Sequence, residues 1–142
     1  MPTRRVDPLL RVSAFEVRIG GRDVGFAQVS RLTSETVAHE PDGPRGNQLA
    51  PVVLRRALTT SSELYDWRRA IVEGKDDRRD VTIRQLSAPG GKPVNAWRLV
   101  RAWPVRWSGP DFDALVDDVA FEEIELTFDD IVWLRSDTTR GG

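Results

Sequence analysis

The chain has 142 residues, 21 of them basic and 22 acidic, with one histidine and no cysteine. That length fits one domain able to bury roughly two thirds of its unfolded surface, and a formal net charge of -1 gives no field that would gather a polyanion or hold an acidic membrane. Without cysteine there is no disulfide framework, thiolate nucleophile or thiolate metal site, and no apolar run approaches the roughly 20 residues that cross a bilayer.

The N-terminal MPTRRVDPLLRVSAFEV has basic residues but no apolar stretch ahead of a small-residue cleavage site, so no signal peptide is expected and synthesis in the cytoplasm is. In VSAFEVRI, Phe15, Val17 and Ile19 alternate with Glu16 and Arg18, which is the period of a half-buried strand. GGRD at 20–23 supplies turn residues before VGFAQVS, predicting a hairpin. HEPDGPRGNQLAP, 39–51, is rich in proline and glycine and poor in apolar residues, so a long exposed loop is expected there. VVLRRAL at 52–58 reads as a strand whose two arginines mark a solvent-facing or partner-facing edge.

One helix is predicted, in TTSSELYDWRRAIVEG. Thr60 and Glu63 stand at capping-box spacing, Leu64, Trp67, Ala70 and Ile71 share one face, and Gly74 is placed for a left-handed stop. KDDRRD is then a charged connection and VTIRQL a strand. Pro89 and Gly90 in SAPGGKP suit a type II turn into AWRLVRAWPVRWSGPDF. The last predicted strand is VAFEEIELTF, with its acidic face turned from the core. The expected architecture is mainly β with one α-helix (α+β), antiparallel, in a single domain over residues 1–142 with frayed ends at about 1–7 and 135–142.

Catalytic and metal-binding constellations are weak. His39 with Glu40 and Asp42 lacks a second histidine, and Ser61 and Ser62 sit where a helix cap is wanted and have no nucleophile elbow. GGRDVG lacks the lysine and hydroxyl of a phosphate loop. Asp111, Asp113, Asp117 and Asp118, with Glu122, Glu123 and Glu125 beyond, are acidic without the spacing of a calcium loop; they read as a solvated surface or a charged interface. No enzyme activity, cofactor or metal is expected.

Three of the five tryptophans, Trp97, Trp103 and Trp107, stand at odd positions with Arg98, Arg101 and Arg106 among them. Arginine and tryptophan so interleaved suit a surface that stacks bases or sugars. They also suit a packing face, where each ring buries about 150–250 Å² and gains on the order of 4–6 kcal/mol of transfer free energy, a gain that favours a packed core. The rings share one side if pairing continues through Pro104, which removes a ladder donor and so marks an edge, a bulge or a strand end. On the residues alone, a monomeric β-barrel binding nucleic acid or sugar stays open beside a structural role.

LYDWRRAIVEGKDDRRDVTIRQL, AWRLVRAWPVRWSGPDFDA and VAFEEIELTFDDI, in that order, resemble the tail-tube protein family of contractile-tailed bacteriophages and extracellular contractile injection systems, over about Asp7 to Leu134. The residues matched are Trp67, Arg68, Gly74, Lys75, Arg78 and Arg79; Ala102, Trp103, Pro104, Trp107, Gly109 and Pro110; Glu122; and Arg56 in the VVLRRAL strand. Ala57 replaces a glycine common in the family, and residues 33–51 match poorly.

The resemblance implies an antiparallel barrel-like or sandwich-like domain, six copies of which join into a ring around a lumen. Rings stack into the inner tube of a phage tail or injection particle, inside a sheath and joined to spike or baseplate proteins, and conduct cargo protein or DNA. A paralogue forming the tube's first ring is the alternative. No specific nucleic-acid binding and no membrane anchor are implied. Glu123 and Glu125 are candidates to face the lumen, and Glu40, Asp42, Arg45, Asn47 and Gln48 to reach a neighbouring ring. The helix face opposite Leu64 and Trp67 would look toward the sheath.

Overall fold

A computed structural model describes residues 14–26, 28–39, 43–113 and 119–135. In chain order the elements are β1 (Phe15–Ile19), β2 (Arg22–Asp23), β3 (Gln28–Val29), β4 (Ser34–His39), β5 (Gly43–Leu49), β6 (Val52–Ala57), α1 (Glu63–Val72), β7 (Arg79–Leu86), β8 (Pro93–Ser108), β9 (Phe121–Thr127) and β10 (Asp130–Leu134). Every strand pair is antiparallel.

The main sheet runs β2-β1-β7-β8-β9-β6-β3, with β10 also on β8. Its two ends do not meet, so among the described residues the sheet stays open, and the sandwich-like form of the expectation holds rather than a closed barrel. Strand β8 joins two halves: residues 93–102 pair with β7, residues 103–108 pair with β9, and β10 lies along 96–100. Val17, Ile19, Val81, Ile83 and Leu99 from one half meet Val52, Leu54, Ile124 and Leu126 from the other in a single apolar core. Leu64 and Trp67 of α1 enter the same core.

The sequence periodicity explains most of these elements. Gly20 and Gly21 take φ of 60° and 83°, the left-handed pair a tight two-residue hairpin requires, and set Ile19 opposite Arg22. The second arm is only two residues long, because the chain leaves at Val24 and pairs again at β3, on β6. At the Pro89–Gly90 turn, the Gly91 amide donates to the Ala88 carbonyl at 2.7 Å and Gly90 has φ of 74°, as a type II turn demands.

Helix α1 ends as its sequence indicates. Gly74 has φ of 85°, its amide donates to the Ile71 carbonyl, and the Lys75 amide reaches the Ala70 carbonyl at 3.0 Å, a Schellman stop. Its start differs from expectation. Ser62 is the cap residue without a side-chain cap bond, the Glu63 amide takes the Ser61 hydroxyl at 3.3 Å, and no Thr60–Glu63 box forms. The Glu63 carboxylate is occupied by Arg56 instead.

Three further expectations are corrected. The segment 39–51 is not a loop for most of its length: β4 and β5 form a separate two-stranded sheet with Glu35 opposite Gln48 and Thr36 opposite Asn47. The segment shows no apolar alternation, which is why its sequence does not mark it as strands. Strand β10 lies where only a chain end approaching its frayed limit was expected, and it extends the sheet along β8.

The tryptophans of β8 do not share one face, because two irregularities shift the parity. Register slips between Arg79/Val81 and again between Pro104/Arg106, and Arg101 at the first slip takes φ of 54°. The buried positions therefore pass from Leu99 to Ala102 and Pro104, and then Trp107 turns to the core.

Candidate functional site

Arg56 is buried, 5 % exposed, and Glu122 is 2 % exposed. They are direct register partners on β6 and β9, on the face that also carries Val52, Leu54, Ile124 and Leu126. The Arg56 Nε donates to Glu122 Oε1 at 2.9 Å. Its Nη1 donates to the Val24 carbonyl at 2.9 Å and to Glu63 Oε2 at 3.1 Å. The second carboxylate oxygen, Glu122 Oε2, accepts from the Trp107 indole at 2.9 Å.

Aromatic rings flank this cluster. Tyr65 meets Trp107 edge-on at 5.1 Å between centroids, and the Arg56 guanidinium lies 5.8 Å from the Phe26 ring centre. One planar cation thus ties the β2–β3 connection, β6, β9, α1 and, through Glu122, β8. Guanidinium suits such a node because its donors leave in a fixed fork. Desolvating both charges offsets much of their attraction, so the cluster fixes geometry more than it adds net stability.

Gly109 explains itself beside this cluster. A Cβ there would come 3.1 Å from the Trp107 ring, so any side chain would crowd the indole. Pro110 follows in the wall of a groove shared with Arg55, Phe121 and Glu123.

A second node holds the end of α1. The Trp67 indole donates to the Asp77 carbonyl at 2.6 Å, and Arg79 lies 4.9 Å from the Trp67 ring centre while gripping the Asp77 carboxylate with two bonds of 2.9 Å. The bond to Arg79 holds the Asp77 carboxyl below the usual carboxylate range; partial burial opposes this, and the Arg79 and Lys75 charges reinforce it. Arg68 donates to the Pro104 carbonyl at 3.1 Å, docking the helix on β8 where proline supplies no ladder donor.

The sequence-matched residues therefore gather into two groups. Trp107, Gly109 and Glu122 join Arg56; Trp67, Gly74 and Arg79 hold the helix end, with Arg68 bridging to Pro104. Trp103 stands apart, half-buried opposite Thr127 on the non-core face. Tyr65 and Asp77 belong to these nodes and were not singled out by sequence, while Glu63 was expected at a helix cap rather than beside Arg56. For Arg56 and Glu122 a signal existed: each is a charge at a core position of an alternating strand, and the two charges are opposite.

Glu123 and Glu125 lie on the face away from the core. Arg106 bonds Glu125 at 3.0 Å and lies 3.8 Å from Glu123, and Arg55 lies 3.7 Å from Glu123. That face is a charge-paired mosaic. Arg45, Asn47 and Gln48 fall in β5, while Glu40 and Asp42 lie outside the described residues. Among the described residues no group of three or more His, Cys, Asp or Glu side chains is placed to hold a metal ion. No described helix is long and apolar enough to cross a membrane.

The family model for the T4-like virus tail tube protein gp19 matches residues 12–132. The chain belongs to this tail tube family. No curated protein sequence matches it. Solved structures do. A chain in the PVC extracellular contractile injection system sheath-tube complex, in its extended state, is 26% identical with a TM-score of 0.78, covering 91% of this chain and 93% of that one. A chain in the PVC sheath/tube terminator is also 26% identical, with a TM-score of 0.80 over 92% of this chain and 100% of that one. Hcp1 from Flavobacterium johnsoniae shares the fold at 15% identity, with a TM-score of 0.65 over 84% and 94% of the two chains. This tail tube family protein is a structural tube subunit of the kind found in phage tails and contractile injection systems.

Proposed function

We propose that six copies of this chain join into a ring and that rings stack into the inner tube of a contractile injection particle or phage tail, a conduit for protein or DNA cargo. The observation that carries this reading is the match to a tail tube family over residues 12–132, together with full-length likeness to chains of sheath-tube and sheath/tube terminator complexes. The subunit makes and breaks no bond. Its open sheet, which among the described residues ends at β2 and β3 and carries β10 beside β8, suits a repeated contact that covers its edges.

Within the tube, the face carrying Glu123 and Glu125 turns to the lumen. Their pairing with Arg55 and Arg106 makes that wall hydrated and near-neutral, so cargo of either sign slides past without a large apolar surface to hold it. The β4–β5 hairpin, with Arg45, Asn47 and Gln48, reaches a neighbouring ring. The outward side of α1, where Tyr65 and Val72 are exposed, faces the sheath. Spike or baseplate proteins contact the end of the tube, and assembly follows synthesis in a bacterial cytoplasm. Sedimentation of the purified protein tests the ring: six-chain species and their multiples are expected, and a monomer at every concentration overturns the reading.

A further inference from the structure

The two ends of β8 carry different exposed aromatic features. Just beyond its C-terminal end, Phe112 is 93 % exposed and stands between the exposed Asp111 and Asp113. A fully solvated phenyl ring on a connecting segment leaves in water an apolar surface whose burial is favourable. Toward the N-terminal end, Trp97 faces Trp133 of β10 across the strand pair, with ring centroids 5.5 Å apart. This pair continues the core face past Ile83, but among the described residues nothing covers it fully: Trp133 is 53 % exposed. Arg135 rims the pair, its guanidinium 5.8 Å from the Trp133 ring centre.

The two features are complementary. One is an apolar knob with an acidic collar, the other an aromatic socket with a basic rim, and such charge placement fixes register between partners. Phe112 follows the part of β8 that pairs with β9, whereas Trp97 lies on the part that pairs with β7 and β10, so knob and socket belong to different halves of one molecule. Two different surfaces on different halves make a heterologous contact, which repeats from copy to copy and closes into a ring when the rotation permits.

We propose that Phe112 of one copy seats against the Trp97–Trp133 pair of the next copy in the ring, with Asp111 facing Arg135. This rests on the ring reading above and names the residues of its contact. Buried aromatic anchors of this kind dominate interface energetics.

Complementation between two variants tests it. Phe112→Ala keeps the socket and loses the knob, and Trp133→Ala keeps the knob and loses the socket. Each alone should associate at least tenfold more weakly than the unaltered chain, and an equimolar mixture should form one-to-one pairs but no rings. If both variants form rings as readily as the unaltered chain, this contact is overturned while the ring reading stands. If both are weakened and the mixture stays monomeric, the contact is likewise overturned. An unaltered chain that never associates overturns both. Should Trp133→Ala lose its circular dichroism signature of folding, Arg135→Asp replaces it; its pairing with Asp111→Arg should restore association that each reversal alone weakens, and a failure to restore overturns the contact.

Discussion

The Arg56 guanidinium meets the Glu122 carboxylate at 2.9 Å with both side chains out of water, and Trp107 and Glu63 complete the cluster from β8 and α1. A charge so enclosed is costly to strand. Glu122→Leu leaves Arg56 buried with the partly exposed Glu63 as its remaining anionic partner, and a loss of about 3–5 kcal/mol is expected in denaturant unfolding. The double change Arg56→Met with Glu122→Leu should cost clearly less than the sum of the single changes. Additive losses would show that the two residues act independently.

Gly74 tests the backbone alone. Its φ is 85°, and a Cβ there would meet nothing within 4 Å. Gly74→Ala should therefore lose about 1 kcal/mol through left-handed strain, and Gly74→Asn less. Equal melting temperatures for all three would remove the Schellman stop from the account.

Asp77 makes stability depend on pH. Its folded value lies below its unfolded one, chiefly through Arg79, so the contribution is present above the ordinary aspartate value of about 3.9 and fades as pH falls toward the folded value. The stability gap between the unaltered chain and Asp77→Asn should be steady at neutral pH, at about 1 kcal/mol or less for a partly exposed pair, and shrink in acid. A gap that widens in acid would reverse the sign and refute the assignment.

The hairpin can be removed without disturbing the body. Ser34 pairs with Leu49, and the Ala50 amide reaches the Thr33 carbonyl at 3.3 Å, so an Asn-Gly link can replace residues 35–48 while Leu49 keeps its place against the core. The shortened chain should unfold like the original but form no stacked tubes in electron micrographs. Tubes of normal length from this chain would show that the hairpin does not join rings.

Much of this fold is legible in the sequence where one face of an element is buried. Alternation locates β1, β6, β7 and β9, and the positions of Leu64, Trp67 and Gly74 define α1 and its end. What periodicity cannot show is a strand without apolar alternation, as in β4 and β5, or a strand whose parity shifts midway, as β8 does at Arg101 and Pro104. The Arg55–Arg56 doublet illustrates a different limit. Composition treats both as surface charge, yet strand parity sends Arg56 inward with Val52 and Leu54, and only a partner 66 residues away in Glu122 makes that position tolerable.

Electron microscopy of the purified chain tests the central claim most directly. The account predicts sixfold-symmetric rings with an open lumen, some stacked into tubes, with rings lost in Phe112→Ala. Particles of single-chain size at every concentration, with no ring in any class average, would contradict it.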